Sequence, residues 1–368
     1  MILDVHSHYT FSRRPAQADE RFSFEPAEID GVPALDSFVS PRSLRRITWR
    51  LVKRMFGLDP RLSAGPELDG ALADFYHRHH FAAGPVQKIV LLAFDEYHDD
   101  AGRRTPPPQT RRQRGSDIYA SNSMIHAACR RHPERYLFGA SVHPYRKNAV
   151  ACVEEVFRRG ACLLKWIPLH QNIDVADSRT TDVLRCCARL GLPLLVHYCE
   201  EFTLATQHPE SRPLAPLLDA LRRLRRDGAM PTTIVAHVAT PVTPWGERRS
   251  HRLLVEALCG EFADAPLYAD ISALASWGKI KYLRELARRQ DLHGKLLFGS
   301  DFPVPLALPR LHGDLGRDYR RIKADPSWIQ QYAHIVRRLG FNEIVLRRAA
   351  ELLPNMDYFT SLSPQSTA

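Results

Sequence analysis

Two histidines close the first apolar segment of the chain, Ile2-Leu3-Asp4-Val5-His6-Ser7-His8. In an extended strand, residues two positions apart point to the same side, which predicts Asp4, His6 and His8 on one face. Leu3 and Val5 then lie on the other face. Two imidazoles at the end of a strand can bind one metal ion together. A His-x-His pair also fits two hydrogen-bonded or surface histidines, so this interpretation needs support from the rest of the chain.

Further along the chain, short apolar segments alternate with helical patterns from about residue 86 onward. This alternation is typical of βα units that form a parallel sheet. With Ile2–Val5 there are eight predicted strands, the number that a closed TIM-type (β/α)8 barrel requires. The other seven are Val86–Phe94, Tyr136–Val142, Ala161–Ile167, Leu192–His197, Thr233–His237, Leu267–Ile271 and Lys295–Gly299. Apolar residues at helical spacing predict helices over Asn148–Arg159, Ser178–Leu190, Leu214–Arg226 and Ile344–Leu353.

Two long connections interrupt this alternation, at about 9–66 after the first predicted strand and at about 95–117 after the second. We therefore expect an α/β fold with one barrel domain over residues 1–356, carrying both insertions, and a C-terminal tail at 357–368. Segments that follow the strands of a barrel lie at its C-terminal face, where long loops serve as lids or substrate-binding loops. For residues 102–115 the alternative is a disordered insertion.

The composition excludes some partners. The chain carries a formal charge of +10, but its arginines are spread along amphipathic helices such as 222–226, and no nucleic-acid-binding motif accompanies them. No apolar segment reaches the roughly 18–20 residues that a membrane span needs. The chain enters its first strand without a basic start or an apolar leader, so a cytoplasmic location is expected. The seven cysteines form no CxxC pair, which favours reduced thiols.

Other predicted strands also end in ionisable residues. The segments are Cys162-Leu163-Leu164-Lys165, Leu194-Leu195-Val196-His197, Ile234-Val235-Ala236-His237 and Leu297-Phe298-Gly299-Ser300-Asp301. In a parallel barrel these ends converge on one face, where active sites are built. Imidazoles with a carboxylate suit zinc, with manganese, iron or nickel as alternatives. Lys165 is expected to face this site because its strand neighbours are apolar; the alternative is a strand-end lysine that reaches solvent.

In type, order and strand position, these residues resemble the amidohydrolase superfamily, and specifically its amidohydrolase-related (type 2) branch. The resemblance covers most of the chain and is carried by Asp4-x-His6-x-His8, Lys165, His197, His237 and Gly299-Ser300-Asp301-Phe302-Pro303. It implies a metal-dependent enzyme that binds one or two divalent ions, Zn²⁺ first and Mn²⁺ as the alternative. The implied ligands are His6, His8, Lys165, His197, His237 and Asp301.

The resemblance leaves the number of ions open. A carboxylated Lys165 would bridge two ions. In relatives with a single ion, the histidine at the position of His237 is a catalytic group. Lys165 would then stay an ammonium that can bind a substrate carboxylate. Asp301, His237 and Lys165 are therefore the predicted catalytic residues.

The implied reaction is hydrolysis, in which metal-activated water attacks a C–N or C–O bond of a small molecule such as an amide, lactam, lactone or ester. A divalent ion lowers the pKa of its water toward about 7. A carboxylate beside that water, here Asp301, can take its proton as a general base. The alternative enzyme is a non-oxidative decarboxylase of an aromatic or unsaturated acid on the same site. The weaker alternative is a basic binding protein without catalysis.

Three residues near strand ends are candidates for substrate binding, namely His143, Trp166 and Glu200. The arginine-rich loops favour an anionic small-molecule substrate, and the sequence leaves a homo-oligomer open. Three histidines of a predicted helix are instead expected at its surface, without a ligand role: His77, His79 and His80.

Overall fold

Eight parallel strands form the centre of the molecule. The computed structural model describes residues 1–362 except 18, 30, 111, 199, 201–203 and 244. Within this part of the chain, each strand of the main sheet pairs with its neighbour in sequence. The strands are β1 Leu3–His8, β2 Lys88–Leu92, β3 Tyr136–Ala140, β4 Ala161–Trp166, β5 Leu194–Val196, β6 Thr233–Val235, β7 Leu267–Asp270 and β8 Leu296–Leu297. The predicted (β/α)8 barrel is confirmed.

Backbone hydrogen bonds close the sheet into a barrel. The Val5 amide donates to the Phe298 carbonyl at 3.2 Å, and the Asp301 amide donates to the His6 carbonyl at 2.7 Å. The residues that follow β8 therefore lie along β1. Since Asp301 is bonded to the backbone of His6, the last predicted ligand of the chain is fixed beside the first.

Helices alternate with the strands around the barrel. The α-helices are Pro41–Leu44, Ile47–Met55, Pro66–His80, Asn122–Arg131, Ala149–Arg158, Pro168–Gln171, Ser178–Leu190, Ala215–Arg226, Arg249–Cys259, Ile280–Arg288, His312–Leu315, Tyr319–Ala324, Trp328–Arg338, Glu343–Arg347, Ala349–Leu352 and Tyr358–Leu362. Short 3₁₀ helices cover Pro209–Ser211, Ala236–Ala239, Gln290–Lys295, Leu308–Leu311 and Gly316–Asp318. The helix Ser178–Leu190 has its predicted bounds and ends at Gly191, whose φ of 64° is the left-handed cap that glycine favours. The predicted closing helix 344–353 is divided into two pieces.

Apolar side chains fill the barrel on both sides of the sheet. The inner cluster includes Leu3, Val5, Val90, Leu92, Leu137, Leu163, Leu195, Ile234 and Leu297. A larger outer cluster lies between the strands and the helices. Because the interior is packed, polar groups can gather only at the ends of the strands, which is where barrel enzymes place their sites.

A β-bulge in β1 changes which residues face the interior. Asp4 pairs with Ile89 and Ser7 with Leu91, so two residues of β1 stand opposite one residue of β2. The extra residue puts the side chains of Val5 and His6 on the same inner side. The predicted face shared by Asp4, His6 and His8 was therefore wrong for Asp4. Its carboxylate instead accepts hydrogen bonds from the His6 amide at 3.1 Å and the Ser300 amide at 2.8 Å.

The two long connections pack on one another. Strand Leu35–Val39, from the first connection, pairs antiparallel with Arg13–Pro15 and with Ile118–Ala120, which precedes the helix Asn122–Arg131. A short hairpin joins Glu28–Ile29 to Val32–Pro33. The buried Glu25 accepts hydrogen bonds from the amides of Asn122 and Ser123, at 2.7 and 2.8 Å. This contact ties the first connection to the start of a barrel helix.

The described residues of 102–115 are bonded to the rest of the molecule. The Pro108 carbonyl accepts from the Arg42 amide at 3.2 Å, and the Gln113 carbonyl accepts from the Arg42 side chain at 2.6 Å. The Gly115 amide donates to the Gln207 side chain at 2.8 Å. These contacts fasten the segment at several points.

Two further expectations concern histidines and cysteines. His79 and His80 are buried, so their predicted surface location was wrong. His77 lies on the exposed face of the helix Pro66–His80. Among the described cysteines all six are free, five buried and Cys259 exposed. Cys199 lies outside the described residues. None of the described helices is long and apolar enough to cross a membrane.

Candidate metal centre

His6 stands at the centre of a buried group of ionisable side chains. Its Nδ1 lies 2.8 Å from Asp270 Oδ2, and its Nε2 lies 3.1 Å from Lys165 Nζ and 3.3 Å from Asp301 Oδ1. A carboxylate at Nδ1 fixes the proton there, so the lone pair of Nε2 points toward Lys165 and Asp301. This is the tautomer that a metal ligand needs.

Asp301 joins the histidines from the other side. Its Oδ1 is 3.1 Å from His8 Nε2, and its Oδ2 is 3.6 Å from His237 Nε2. Burial by itself would raise the pKa of Asp301, but the imidazoles of His237, His6 and His8 hold it well below its ordinary value. Asp301 is therefore a carboxylate whose two oxygens face three imidazole nitrogens.

His237 is held by an uncommon backbone conformation. His237, Val238 and Ala239 follow one another with φ values of 54°, 49° and 48°, in the left-handed region that residues other than glycine seldom adopt. Such strain concentrates at functional sites. The ring donates from Nδ1 to the Ser272 carbonyl at 3.0 Å, which leaves the Nε2 lone pair facing Asp301. Burial, and then the positive charge of Lys279, keep the pKa of His237 well below its usual value.

His197 completes the set of histidines. Its ring centre lies 5.0 Å from that of His237, edge to face, and its Nε2 lies 3.4 Å from the Glu200 carbonyl. The ring of His6 stacks on His237 at 5.1 Å and meets His8 edge-on at 5.2 Å. The structure thus brings all four predicted histidine ligands into one cluster.

The spacing of these atoms fits a divalent ion. Ligands at roughly 2.0–2.1 Å from a tetrahedral zinc ion lie about 3.3–3.4 Å from one another. The Nε2 atoms of His6 and His8 lie 3.3 and 3.1 Å from Asp301 Oδ1. A second group, His6, His237 and Asp270, also falls within metal-binding distance. However, Asp270 already accepts from His6 Nδ1 and from the His237 amide, so it positions the ligands.

Lys165 faces this cluster. The side chain is buried, with 1 % of its surface exposed, so it does not reach solvent. Leu163, two residues earlier on β4, belongs to the inner core cluster, as strand alternation requires. Lys165 therefore stands among the predicted ligands.

Two of the three predicted substrate-binding residues form hydrogen bonds with other parts of the protein. Trp166 is fully buried in the outer core cluster, and its indole N–H donates to the Val142 carbonyl at 2.8 Å, so it does not line the site. His143 uses both ring nitrogens, with Nε2 at 2.6 Å from the Gln171 carbonyl and Nδ1 accepting from the Tyr145 amide at 3.0 Å. Burial lowers the pKa of His143 to about 3, which keeps the ring neutral. Glu200 is half-buried, with its carbonyl beside His197.

Asp270 is the functional residue that the sequence reasoning missed. It ends β7, in the same position as the predicted ligands end their strands, and this position was the available signal. Its carboxylate accepts from the Ser272 hydroxyl and amide as well as from the His237 amide at 2.8 Å. The neighbouring His6 and His237 outweigh the effect of burial and keep the pKa of Asp270 below its ordinary value.

We expect Asp270→Asn to weaken metal binding about 10–100-fold, the usual effect of removing the partner of a ligating histidine. The amide can turn its N–H₂ group toward His6, which would favour the wrong tautomer. Metal titration followed by Kd measurement checks this, with Asp291→Asn as the exposed-carboxylate control. An unchanged metal Kd in Asp270→Asn would show that Asp270 does not position His6.

Gly299 allows a close approach between β1 and the residues that follow β8. A Cβ at this position would stand 2.9 Å from His6 Cβ and 3.3 Å from Ser272 Cβ. Neither atom can move without its backbone. We expect Gly299→Ala to destabilise the fold by about 1–3 kcal/mol and to lower metal occupancy without removing a ligand. Urea unfolding and metal analysis test this against Gly313→Ala, where a Cβ meets nothing within 4 Å.

Fold and site together define a (β/α)8-barrel protein with a cluster of histidine and aspartate side chains, suited to hold a metal ion, at the carboxyl ends of its strands. A sequence model of the amidohydrolase family matches residues 78–331. The chain belongs to the amidohydrolase family, whose members are metal-dependent. No curated protein matches the chain significantly.

Solved structures are similar to this chain at low sequence identity, and the first of the three described here has the same fold. An uncharacterized TIM-barrel protein from Bordetella bronchiseptica is 15% identical with a TM-score of 0.55, over 95% of this chain and 96% of that one. A probable 2-pyrone-4,6-dicarboxylic acid hydrolase from Acinetobacter baumannii, with citric acid bound, is 14% identical with a TM-score of 0.46, over 95% and 98%. A 2,6-dihydroxybenzoate decarboxylase from Rhizobium is 13% identical with a TM-score of 0.46, over 95% and 98%.

Proposed function

We propose that this protein is a metal-dependent hydrolase that cleaves a C–N or C–O bond of a small, anionic molecule. The observation that supports it best is the position of the Asp301 carboxylate, within 3.1–3.6 Å of the Nε2 atoms of His6, His8 and His237. A bound divalent ion, Zn²⁺ in our proposal and Mn²⁺ as its alternative, would supply Lewis acidity and lower the pKa of water toward about 7. His6, His8, His197 and Asp301 would hold it.

Asp301 is the proposed general base. Its low pKa keeps it ionised, and Oδ2 points to the side of His237, where a proton can be accepted from water and returned to the leaving group. His237 has its proton on Nδ1, so its Nε2 can act as a ligand or as a proton acceptor but does not donate. The His8 side chain is 21 % exposed, which supports an approach of solvent and substrate from that side of the cluster.

Two buried lysines support an acidic substrate. Lys165 touches the ring of His6, and Lys279, which is 5 % exposed, acts on His237 through its charge. A positive charge on either lysine would attract an acidic group to this end of the barrel. We therefore propose that one of them binds a carboxylate of the substrate, and that carboxylation of Lys165 would convert it into a ligand for a second ion.

The test begins with metal. Protein stripped with a chelator should lose hydrolysis of a panel of lactones, amides and esters that carry a carboxylate, and regain it on addition of Zn²⁺ or Mn²⁺. Activity that survives complete metal removal would contradict the proposal, as would the absence of hydrolysis across the panel with a fully loaded site.

The same two lysines also support a second candidate function, that of a non-oxidative decarboxylase. Such an enzyme must hold the carboxylate that it removes, and Lys165 as an ammonium could do so next to a single ion. Carbon dioxide release from aromatic or unsaturated acids, with one ion per chain and an unmodified Lys165 by mass spectrometry, would select this candidate. Two ions with a carboxylated Lys165 would select the hydrolase.

A further inference from the structure

A cavity lies apart from the metal centre. It has a volume of about 540 Å³, within the usual range for small-molecule sites. We name it the Tyr198 cavity; the lining residues that bear on its chemistry are Asp100, Tyr145, Asp174, Asp177, Arg179 and Tyr198. None of the metal-centre residues lines it. Tyr198 follows His197 directly, but its side chain belongs to the outer core cluster, on the other side of the sheet from the histidines.

Tyr198 brings an unused polar group to this cavity. The residue is 1 % exposed, and within the described part of the chain its hydroxyl makes no hydrogen bond. The hydroxyl oxygen is not wholly enclosed by protein; it opens to the cavity, where a ligand can form the hydrogen bond that the protein does not supply. Burial raises the pKa of this hydroxyl far above its ordinary value, and Asp174 adds to the shift, so the group stays neutral near a carboxylate.

The charge of the cavity is negative although the chain as a whole is basic. Four carboxylates line it, on Asp100, Asp174, Asp177 and Glu210, against the two guanidinium groups of Arg114 and Arg179 and the imidazole of His208, which lies 2.8 Å from Glu210. Arg179 is already occupied. It pairs with Asp177 at 2.6 Å, donates to the Asp100 carbonyl at 2.9 Å and lies 3.7 Å from the centre of the Tyr145 ring.

Two of the carboxylates have no cationic partner. Asp174 accepts from the Ala176 amide at 2.9 Å, and Asp100 accepts from the Asn172 side chain at 2.9 Å. Among the described residues, neither forms an ion pair with lysine, arginine or histidine. Both residues are exposed. The cavity thus combines free negative charge and the Tyr198 hydroxyl in one lining, with apolar surface from Ile173 and Pro213.

We propose that the Tyr198 cavity binds a small organic cation, an ammonium or guanidinium group on an apolar body. The cation donates hydrogen bonds to the Asp174 carboxylate and to the Tyr198 hydroxyl oxygen, while the apolar body packs on the walls. This site is distinct from the metal centre, and its occupation does not depend on the reaction catalysed there.

The experiment compares three probes of nearly the same shape by calorimetric titration of the metal-loaded, full-length protein. The probes are 2-phenylethylamine, which is a cation, 2-phenylethanol, which is neutral, and phenylacetate, which is an anion. We expect binding of the amine and at least about ten-fold weaker binding of the other two. Phenylacetate or the alcohol binding as tightly as the amine, or no heat from the amine, would overturn the proposal.

Two conservative variants locate the binding. Asp174→Asn removes the charge and Tyr198→Phe removes the hydroxyl. Each should weaken binding of the amine about ten-fold or more. Asp182→Asn makes the same charge change at an exposed position of the helix that carries Arg179 and should leave the affinity unchanged. Thermal unfolding verifies that all three fold. Amine affinity that is equal in the wild type and in both cavity variants would place the probe elsewhere and refute the site.

Discussion

Replacing Asp301 by asparagine is expected to lower kcat of the proposed hydrolysis by about three orders of magnitude, within the range that a general base contributes. Asparagine keeps the shape of the side chain and an oxygen that can face His6 and His8. It cannot accept the proton of the attacking water, and it removes the negative charge that three imidazoles surround. The loss should therefore appear in kcat and not only in metal content.

The measurement separates these two effects. Steady-state kinetics at saturating metal, with metal analysis of the same samples, report turnover per loaded site. Asp314→Asn serves as the control, since this carboxylate pairs with Arg284 away from the cluster. Wild-type kcat in fully loaded Asp301→Asn would reduce Asp301 to a ligand and remove it as the base.

The barrel and most of the metal centre could be predicted because both follow from local sequence. Parallel strands place their carboxyl ends on one face, so a histidine or aspartate that ends an apolar segment reports its own position in space. His197, His237 and Asp301 were found in this way although about 40 to 290 residues separate them from one another and from His6. The structure then adds the distances, which no spacing in the sequence contains.

What failed was the assignment of faces and partners. The bulge at Val5 and His6 depends on pairing with β2, about 80 residues away, and so the alternation rule misplaced Asp4. For Trp166 the same rule was available and pointed the right way, since a neighbour of the inward Lys165 must face outward. The strand-end position of Asp270 could have been read from the sequence, but its role as a partner of His6 and His237 follows only from contacts in the folded chain. Contacts of this kind join residues that are far apart in the sequence, so they form only when the chain folds.

His6→Ala is expected to abolish stoichiometric metal binding and to lower activity by more than about a thousand-fold. His6 contacts three charged members of the cluster, with Asp270 at 2.8 Å, Lys165 at 3.1 Å and Asp301 at 3.3 Å. Its removal also takes a hydrogen-bond partner from two buried charged groups, which we expect to destabilise the fold by about 3 kcal/mol. Metal analysis and urea unfolding measure the two effects separately.

The control for this prediction is another buried histidine of the same barrel. His80 is fully buried and lies 3.0 Å from the Tyr136 hydroxyl, outside the metal cluster. His80→Ala should lose stability on a similar scale and yet retain its metal, because it removes packing and a hydrogen bond but no ligand. If both variants lost metal equally, the loss would follow from a weakened fold. Metal retained in His6→Ala would show that the cluster around Asp301 binds its ion without the first histidine of the chain, and the ligand set would have to be rebuilt on His8, His197 and His237.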